Sequence, residues 1–231
     1  MRAGLFGKLP AKRNFIAIRT PQPFLDTWEP WVQGSVAASR QLLGEAWLDA
    51  YMTAPIWRFW LGAGLCGATV IGAFMPSVDG VGRYFPLTIF SIAPEEHPLS
   101  PPEIDAQTEW FKGVENLLLS ALNDATSFEK LTDALDTLAP PTIAGAGNAG
   151  RTEQPLFLRG GATTRSAPQQ DFETVFCDLR LRNHASAYAD RSFWWTIGGE
   201  NFEPQAIAAT KFIDPYIFAG LMTGKFDDLG A

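Results

Sequence analysis

Basic clusters, paired cysteines and long apolar runs are what this 231-residue chain lacks, and histidines are few. Each shortage removes a class of function. Lys and Arg number 18 against 25 Asp and Glu, a formal net charge of −7. Binding to a nucleic-acid backbone needs cations gathered on one face. No such cluster occurs, so nucleic acid is excluded as the expected partner, and the acidic balance argues equally against an anionic membrane surface. The two cysteines, Cys66 and Cys177, are far apart and follow no CxxC or zinc-ligand spacing. They read as buried thiols of a reducing compartment. No apolar run approaches a membrane span, because the stretch from Ala54 to Met75 is broken by Arg58, several glycines and a proline. The opening MRAGLFGKLPAKRNF has charges but no apolar h-region, so no secretory leader is expected and the chain reads as cytoplasmic. Only two histidines are available, His97 and His184, and neither stands near a GxSxG elbow or an HExxH pattern. Both read as exposed loop residues. No metal and no cofactor is expected.

What is present is apolar and aromatic. Hydrophobic residues make up 46 % of the chain, with 8 Trp and 17 Phe, enough for one large domain with a ring-rich core. Helical spacing of apolar residues predicts a helix from Pro21 to Leu43, with Pro30 marking a late start or a kink and Gly44 closing it. A shorter helix follows from Glu45 to Met52. Further helices are predicted over Pro102–Asn123, over Phe128–Leu138 behind Ser127 as N-cap, and over Pro215–Met222. Strands are expected at Ala3–Leu9, Ile56–Leu61, Ala68–Met75, Tyr84–Ile92, Leu156–Arg159, Phe172–Leu181 and Phe193–Ile197. Flexible loops are expected near 139–152 and 160–170. Mixed runs of strands and helices, with no internal repeat, favour an α/β fold with a mixed, largely antiparallel sheet and helices packed on it.

The stretch from Gly72 to Thr88, GAFMPSVDGVGRYFPLT, carries the sharpest local signal. Asp79-Gly80 is a hairpin turn pair, Gly82 allows a bulge beside it, and Arg83 is placed to partner Asp79. A phosphate-cradling loop would need a GK[ST] step into a helix. Here a strand follows, so a structural turn or a partner contact is the better reading. The segment from Gly7 to Phe15 gathers Lys8, Lys12 and Arg13 in one loop, either a solvated basic loop or a docking surface. Carboxylate pairs one helical turn apart, Asp26/Glu29 and Asp133/Asp136, fit solvated helix faces better than acid–base chemistry. Trp57 and Trp60 must face opposite sides of a strand, as must Trp194 and Trp195. One of each pair can be exposed, which would suit a carbohydrate-binding platform. A hydrolase would need Asp79, Arg83 and the distant His184 to converge in one pocket.

Five stretches, taken together and in order, resemble one family. They are GKLPAKRNFI (7–16), WLDAYMTAPIWRF (47–59), MPSVDGVGRYFPLT (75–88), SFWWTIGG (192–199) and DPYIFAGLMTG (214–224). The family is TagF, accessory proteins of the bacterial type VI secretion system, and the resemblance runs over nearly the whole chain as one domain, 1–231. Two departures stand out. The family often has Arg-Gly-Asp-Phe where this chain has Lys12-Arg13-Asn14-Phe15, so an acid is replaced by Asn14. Gly80 stands where an Arg is common, so one charge is missing from the tip of the turn. The resemblance implies a three-layer α/β/α sandwich. It implies a post-translational repressor of type VI secretion, tied to a threonine kinase and phosphatase pathway and to a cytoplasmic scaffold with a forkhead-associated domain. Some relatives are fused to a PP2C-type phosphatase; this chain carries none, so no phosphatase activity is expected of it. The expectation is thus a non-catalytic regulator that contacts its scaffold through Lys8, Arg13, Asn14, Asp79 and Arg83. Thr152, Thr163 and Thr164 are weak candidates for phosphorylation.

Overall fold

A computed structural model of the chain describes residues 1–123, 126–143, 156–157, 163–164, 175, 179 and 183–227. The main sheet has seven strands in the order β2-β1-β5-β4-β3-β8-β9. These are β1 (Gly4–Gly7), β2 (Ile16–Ile18), β3 (Trp57–Leu61), β4 (Val70–Met75), β5 (Leu87–Ile92), β8 (Ser192–Thr196) and β9 (Gln205–Ala209). Every described pairing is antiparallel, so the mixed element of the expected sheet is absent among the described residues. Two two-residue strands, β6 (Leu156–Phe157) and β7 (Thr163–Thr164), form a separate antiparallel pair. The second of them lies inside the stretch expected to be a loop.

Strand alternation splits the core between the two faces of the sheet. Leu5, Trp60, Ile71, Ala73, Met75, Leu87 and Ile89 point to one face. They are covered by α4 (Thr108–Ser120) and α5 (Phe128–Thr137), through Trp110, Phe111, Val114, Leu118, Leu131 and Leu135. Phe6, Trp57, Phe59, Val70, Phe74, Phe90 and Trp194 point to the other. There α1 (Gln22–Leu43), α2 (Trp47–Thr53) and α7 (Phe218–Thr223) close over them. The result is the three-layer α/β/α sandwich. Short helices α3 (Ala63–Cys66) and α6 (His184–Ala187) lie in connections.

The second face is an aromatic mass. Trp28 stacks on Phe24 at 5.5 Å and on Phe59 at 4.4 Å, and Phe24 stacks on Phe90 at 4.2 Å. Trp31 lies 4.8 Å from Trp194. Each such pair adds about 0.5–1.5 kcal/mol beyond its buried area. A buried indole must still place its N–H. Trp28 donates to Thr88 Oγ1, Trp31 to the Ile213 carbonyl, Trp57 to the Leu221 carbonyl and Trp60 to the Leu99 carbonyl.

This packing corrects the expectation of exposed tryptophans. Trp57 and Trp60 do face opposite sides, but both sides are covered, and both rings are buried. Trp194 is buried and Trp195 half-buried against Phe111 at 5.1 Å. No tryptophan ring is left exposed to serve as a carbohydrate platform.

Several element boundaries also differ. The first helix runs unbroken through Pro30, which sits on its exposed side, where the carbonyl left unpaired is solvated. Helix α4 starts at Thr108, six residues later than predicted, after a polar turn in which the Asp105 carboxylate accepts from the Gln107 amide at 3.0 Å. Gly44 closes α1 and the Ser127 hydroxyl caps α5 by accepting from Lys130 N–H, both as expected. The predicted strand Phe172–Leu181 is described only at Val175 and Leu179, and both are helical. Its remainder, including Cys177, lies outside the described residues, as do 144–152, Thr152 and most of 160–170.

Candidate functional site

The loop after β1 and the turn between β4 and β5 form one polar unit. Gly7 launches the loop with φ +134°, and a Cβ there would lie 2.1 Å from the Pro86 carbonyl oxygen. Only glycine lets the two backbones approach so closely. The loop carries Lys8 inward. Its ammonium donates to Asp79 Oδ2 at 2.6 Å, and both side chains are buried. The Lys8 carbonyl also accepts from the Ser77 hydroxyl at 2.8 Å.

Asp79 is the hub. Its Oδ1 accepts from Val81 N–H at 3.1 Å and Arg83 N–H at 2.9 Å, and its Oδ2 accepts from Lys8 and from Arg83 Nε at 2.7 Å. Burial pushes the carboxyl upward, but the Lys8 ammonium and the Arg83 and Val81 donors outweigh it and hold the group far below the usual carboxylate range. The turn is a small hairpin: Asp79 N–H donates to the Arg83 carbonyl at 3.1 Å, and Gly82 N–H returns to the Asp79 carbonyl at 2.9 Å with φ +83° at Gly82. Beneath it, the Tyr51 hydroxyl of α2 donates to the Ser77 carbonyl at 3.0 Å and accepts from Ser77 N–H at 3.1 Å. Burial raises that phenol's pKa well above normal, so it stays protonated.

The turn is then sewn to the loop. Gly80 N–H donates to the Lys12 carbonyl at 2.9 Å, and Arg83 Nη2 donates to the Arg13 carbonyl. What the unit shows to solvent is Arg13, Asn14, Phe15, Val81 and the outer part of Arg83. Phe15 is 47 % exposed, yet its ring lies edge-on to Phe85 at 4.8 Å and under the Lys8 ammonium at 4.9 Å, so it is held rigidly in place. Lys12 extends over the Phe128 ring at 4.4 Å. Among the described residues, neither Lys12 nor Arg13 makes an ion pair. The face is therefore basic and apolar at once, on a chain of net charge −7.

The five expected contact residues divide accordingly. Arg13, Asn14 and Arg83 are presented to solvent, whereas Lys8 and Asp79 are buried beneath them and position the turn. His184 is not part of this unit. It is half-buried at the start of α6, with Nε2 at 3.4 Å from the Ser100 hydroxyl, and burial lowers its pKa. His97 is exposed as expected. No group of three or more His, Cys, Asp or Glu side chains is arranged to hold a metal among the described residues. Sequence reasoning missed Phe15, whose aromatic character next to a basic run was the available signal. It also missed the buried pair of Arg58 and Glu115, which join β3 to α4 at 2.6 and 2.9 Å.

Fold and site together define an antiparallel α/β/α sandwich that carries a solvent-facing basic and apolar surface at one end of its central strands. The sequence places it further. Residues 4–138 match the TagF N-terminal domain, described as type VI secretion system-associated, and the chain belongs to that family. Among solved structures it is similar to PA0076 from Pseudomonas aeruginosa PAO1, at 29 % identity and a TM-score of 0.77, over 96 % of this chain and 94 % of that one. No curated protein matches it. No helix among the described residues is long and apolar enough to cross a membrane.

Proposed function

We propose that this chain, acting as a single domain in the cytoplasm, is a non-catalytic regulator that holds type VI secretion off by binding a scaffold protein with a forkhead-associated domain. The joining of two distant stretches into one face carries the reading. The 8–15 loop and the 79–83 turn are bound to each other by Lys8–Asp79, Gly80–Lys12 and Arg83–Arg13 contacts. A turn needed only to reverse the chain would not require a buried carboxylate with two cationic partners. The arrangement fixes Arg13, Asn14 and Arg83 around Phe15 and Val81, an arginine-and-aromatic patch of the kind that anchors protein interfaces.

The test is co-elution of the purified chain with the forkhead-associated scaffold of the same genome in size-exclusion chromatography. The wild-type chain is expected to co-elute at micromolar concentration. The double variant R13A/R83A is expected to lose binding by about tenfold or more, given the worth of interface arginines, with an unchanged circular dichroism spectrum. Clean separation of the wild-type proteins would overturn the partner. Loss of soluble fold in R83A would make Arg83 structural and remove this face as the site.

A further inference from the structure

We propose that the outer edge of β9 pairs with the same edge of a second copy of this chain, joining two seven-stranded sheets into one. Among the described residues nothing pairs with the far side of β9, which ends the sheet. The opposite edge, β2, is three residues long and is followed by Arg19, whose side chain donates to the Ala3 carbonyl and pairs with Asp136. The β9 edge is five residues, Gln-Ala-Ile-Ala-Ala, with no charge, proline or bulge inside it. Those are the usual devices that keep an edge from pairing.

The ladder fixes which groups face outward. Gly62 N–H donates to the Arg191 carbonyl at 2.9 Å, on the register that pairs β3 with β8. Hydrogen-bonded and non-bonded pairs alternate along an antiparallel ladder. Arg191, Phe193 and Trp195 are thereby turned to β3, which leaves Ser192–Ala209, Trp194–Ile207 and Thr196–Gln205 as the bonded pairs with β9. The N–H and C=O groups of Ala206 and Ala208 are therefore turned to the open edge.

A second copy satisfies them by symmetry. A two-fold axis through Ile207 sets Ala206 against Ala208 of the second copy, twice over, so each of these outward groups meets another outward group. The same axis sets Glu203 opposite Lys211 of the second copy, twice over. Both side chains are exposed, and neither makes an ion pair or side-chain hydrogen bond among the described residues. The residues opposed across the exposed face are Ala206 and Ala208, small enough to let the edges approach without a clash. An unrelated peptide strand would gain the backbone bonds but not these two reciprocal charge pairs. The contact is small, so association is expected in the weak, concentration-dependent range.

Sedimentation equilibrium of the full chain from about 5 to 500 μM, in about 0.15 M salt, reads it directly. The wild-type average mass is expected to climb towards the dimer. K211E sets like charges opposite each other at both ends and is expected to weaken the dimer about tenfold. The swap E203K/K211E restores the opposite-charge pairs and the affinity. A208P removes an outward N–H without touching an internal ladder bond, and is expected to abolish the dimer while the monomer keeps its melting temperature within a few degrees. A wild-type chain that stays monomeric throughout overturns the proposal. So does a charge swap no better than K211E, or a dimer that survives A208P.

Discussion

Removing the Glu115 carboxylate should destabilise this protein more than removing both partners of its ion pair. Arg58 Nε donates to Oε1 at 2.6 Å and Nη2 to Oε2 at 2.9 Å, with side chains 9 % and 11 % exposed. The pair bridges the middle of the sheet to α4, and the guanidinium also lies 5.1 Å from the Phe111 ring. In E115L the guanidinium stays in place but loses the one anion that pairs with it among the described residues. Stranding one member of a buried pair costs about 3–5 kcal/mol. For a chain of this size each kcal/mol moves Tm by about 2–4 °C, so a fall of about 6–20 °C is expected. R58M/E115L replaces both ends with apolar groups of similar length, and such replacements come out near neutral or stabilising. Urea and thermal unfolding, followed by tryptophan fluorescence with the m-value checked for constancy, would give all four corners of the cycle. A loss below about 1 kcal/mol for E115L would refute the claim that the pair is desolvated. A double variant as poor as the sum of the singles would refute the claim that the two side chains act as one unit.

Asp79 gives a pH signature. Its folded pKa is depressed, so its contribution is present above the ordinary carboxylate pKa and is lost as pH falls towards the folded value. Stability should therefore begin to decline below about pH 4, and D79N, measured by urea unfolding from pH 7 to 3, should show a smaller decline than the wild type from a lower starting point. Cys66 is free and buried, and burial raises its pKa to about 12 against a weaker opposing hydrogen bond from Thr27. It should resist iodoacetamide at pH 8 in the folded chain and react on unfolding, as peptide mass spectrometry would show. Native labelling at the free-thiol rate would contradict its burial. R13A/R83A should separate contact from fold, as set out above.

The hairpin at Asp79 was readable because turn chemistry is local: Asp-Gly followed by Gly82 restricts the backbone whatever surrounds it. Helix α1 was readable because Phe24, Trp28, Trp31 and Val32 repeat at helical spacing over a long window. Strands β2 and β9 were not. Three residues of Ile-Ala-Ile and five of Gln-Ala-Ile-Ala-Ala carry no distinctive β signal, and their extended form comes from pairing with β1 and β8. The candidate site was half legible. The charge pattern marked Lys8, Arg13, Asp79 and Arg83 as a set, but exposure cannot be read from residue type. Lys8 is buried because Asp79, 71 residues away, supplies its counter-charge.

By itself the sequence determined the local preferences, the helix caps, the turn and the membership of the TagF family, since these depend on neighbours in the chain or on blocks of residues in order. Only the tertiary structure decided that both faces of the sheet are covered, leaving no exposed tryptophan. It alone decided that Lys8 and Asp79 support the surface while Arg13 and Arg83 form it, and that nothing among the described residues pairs with the outer side of β9. Each of these turns on contacts between residues far apart in sequence, and a side chain's exposure is set by what folds back over it.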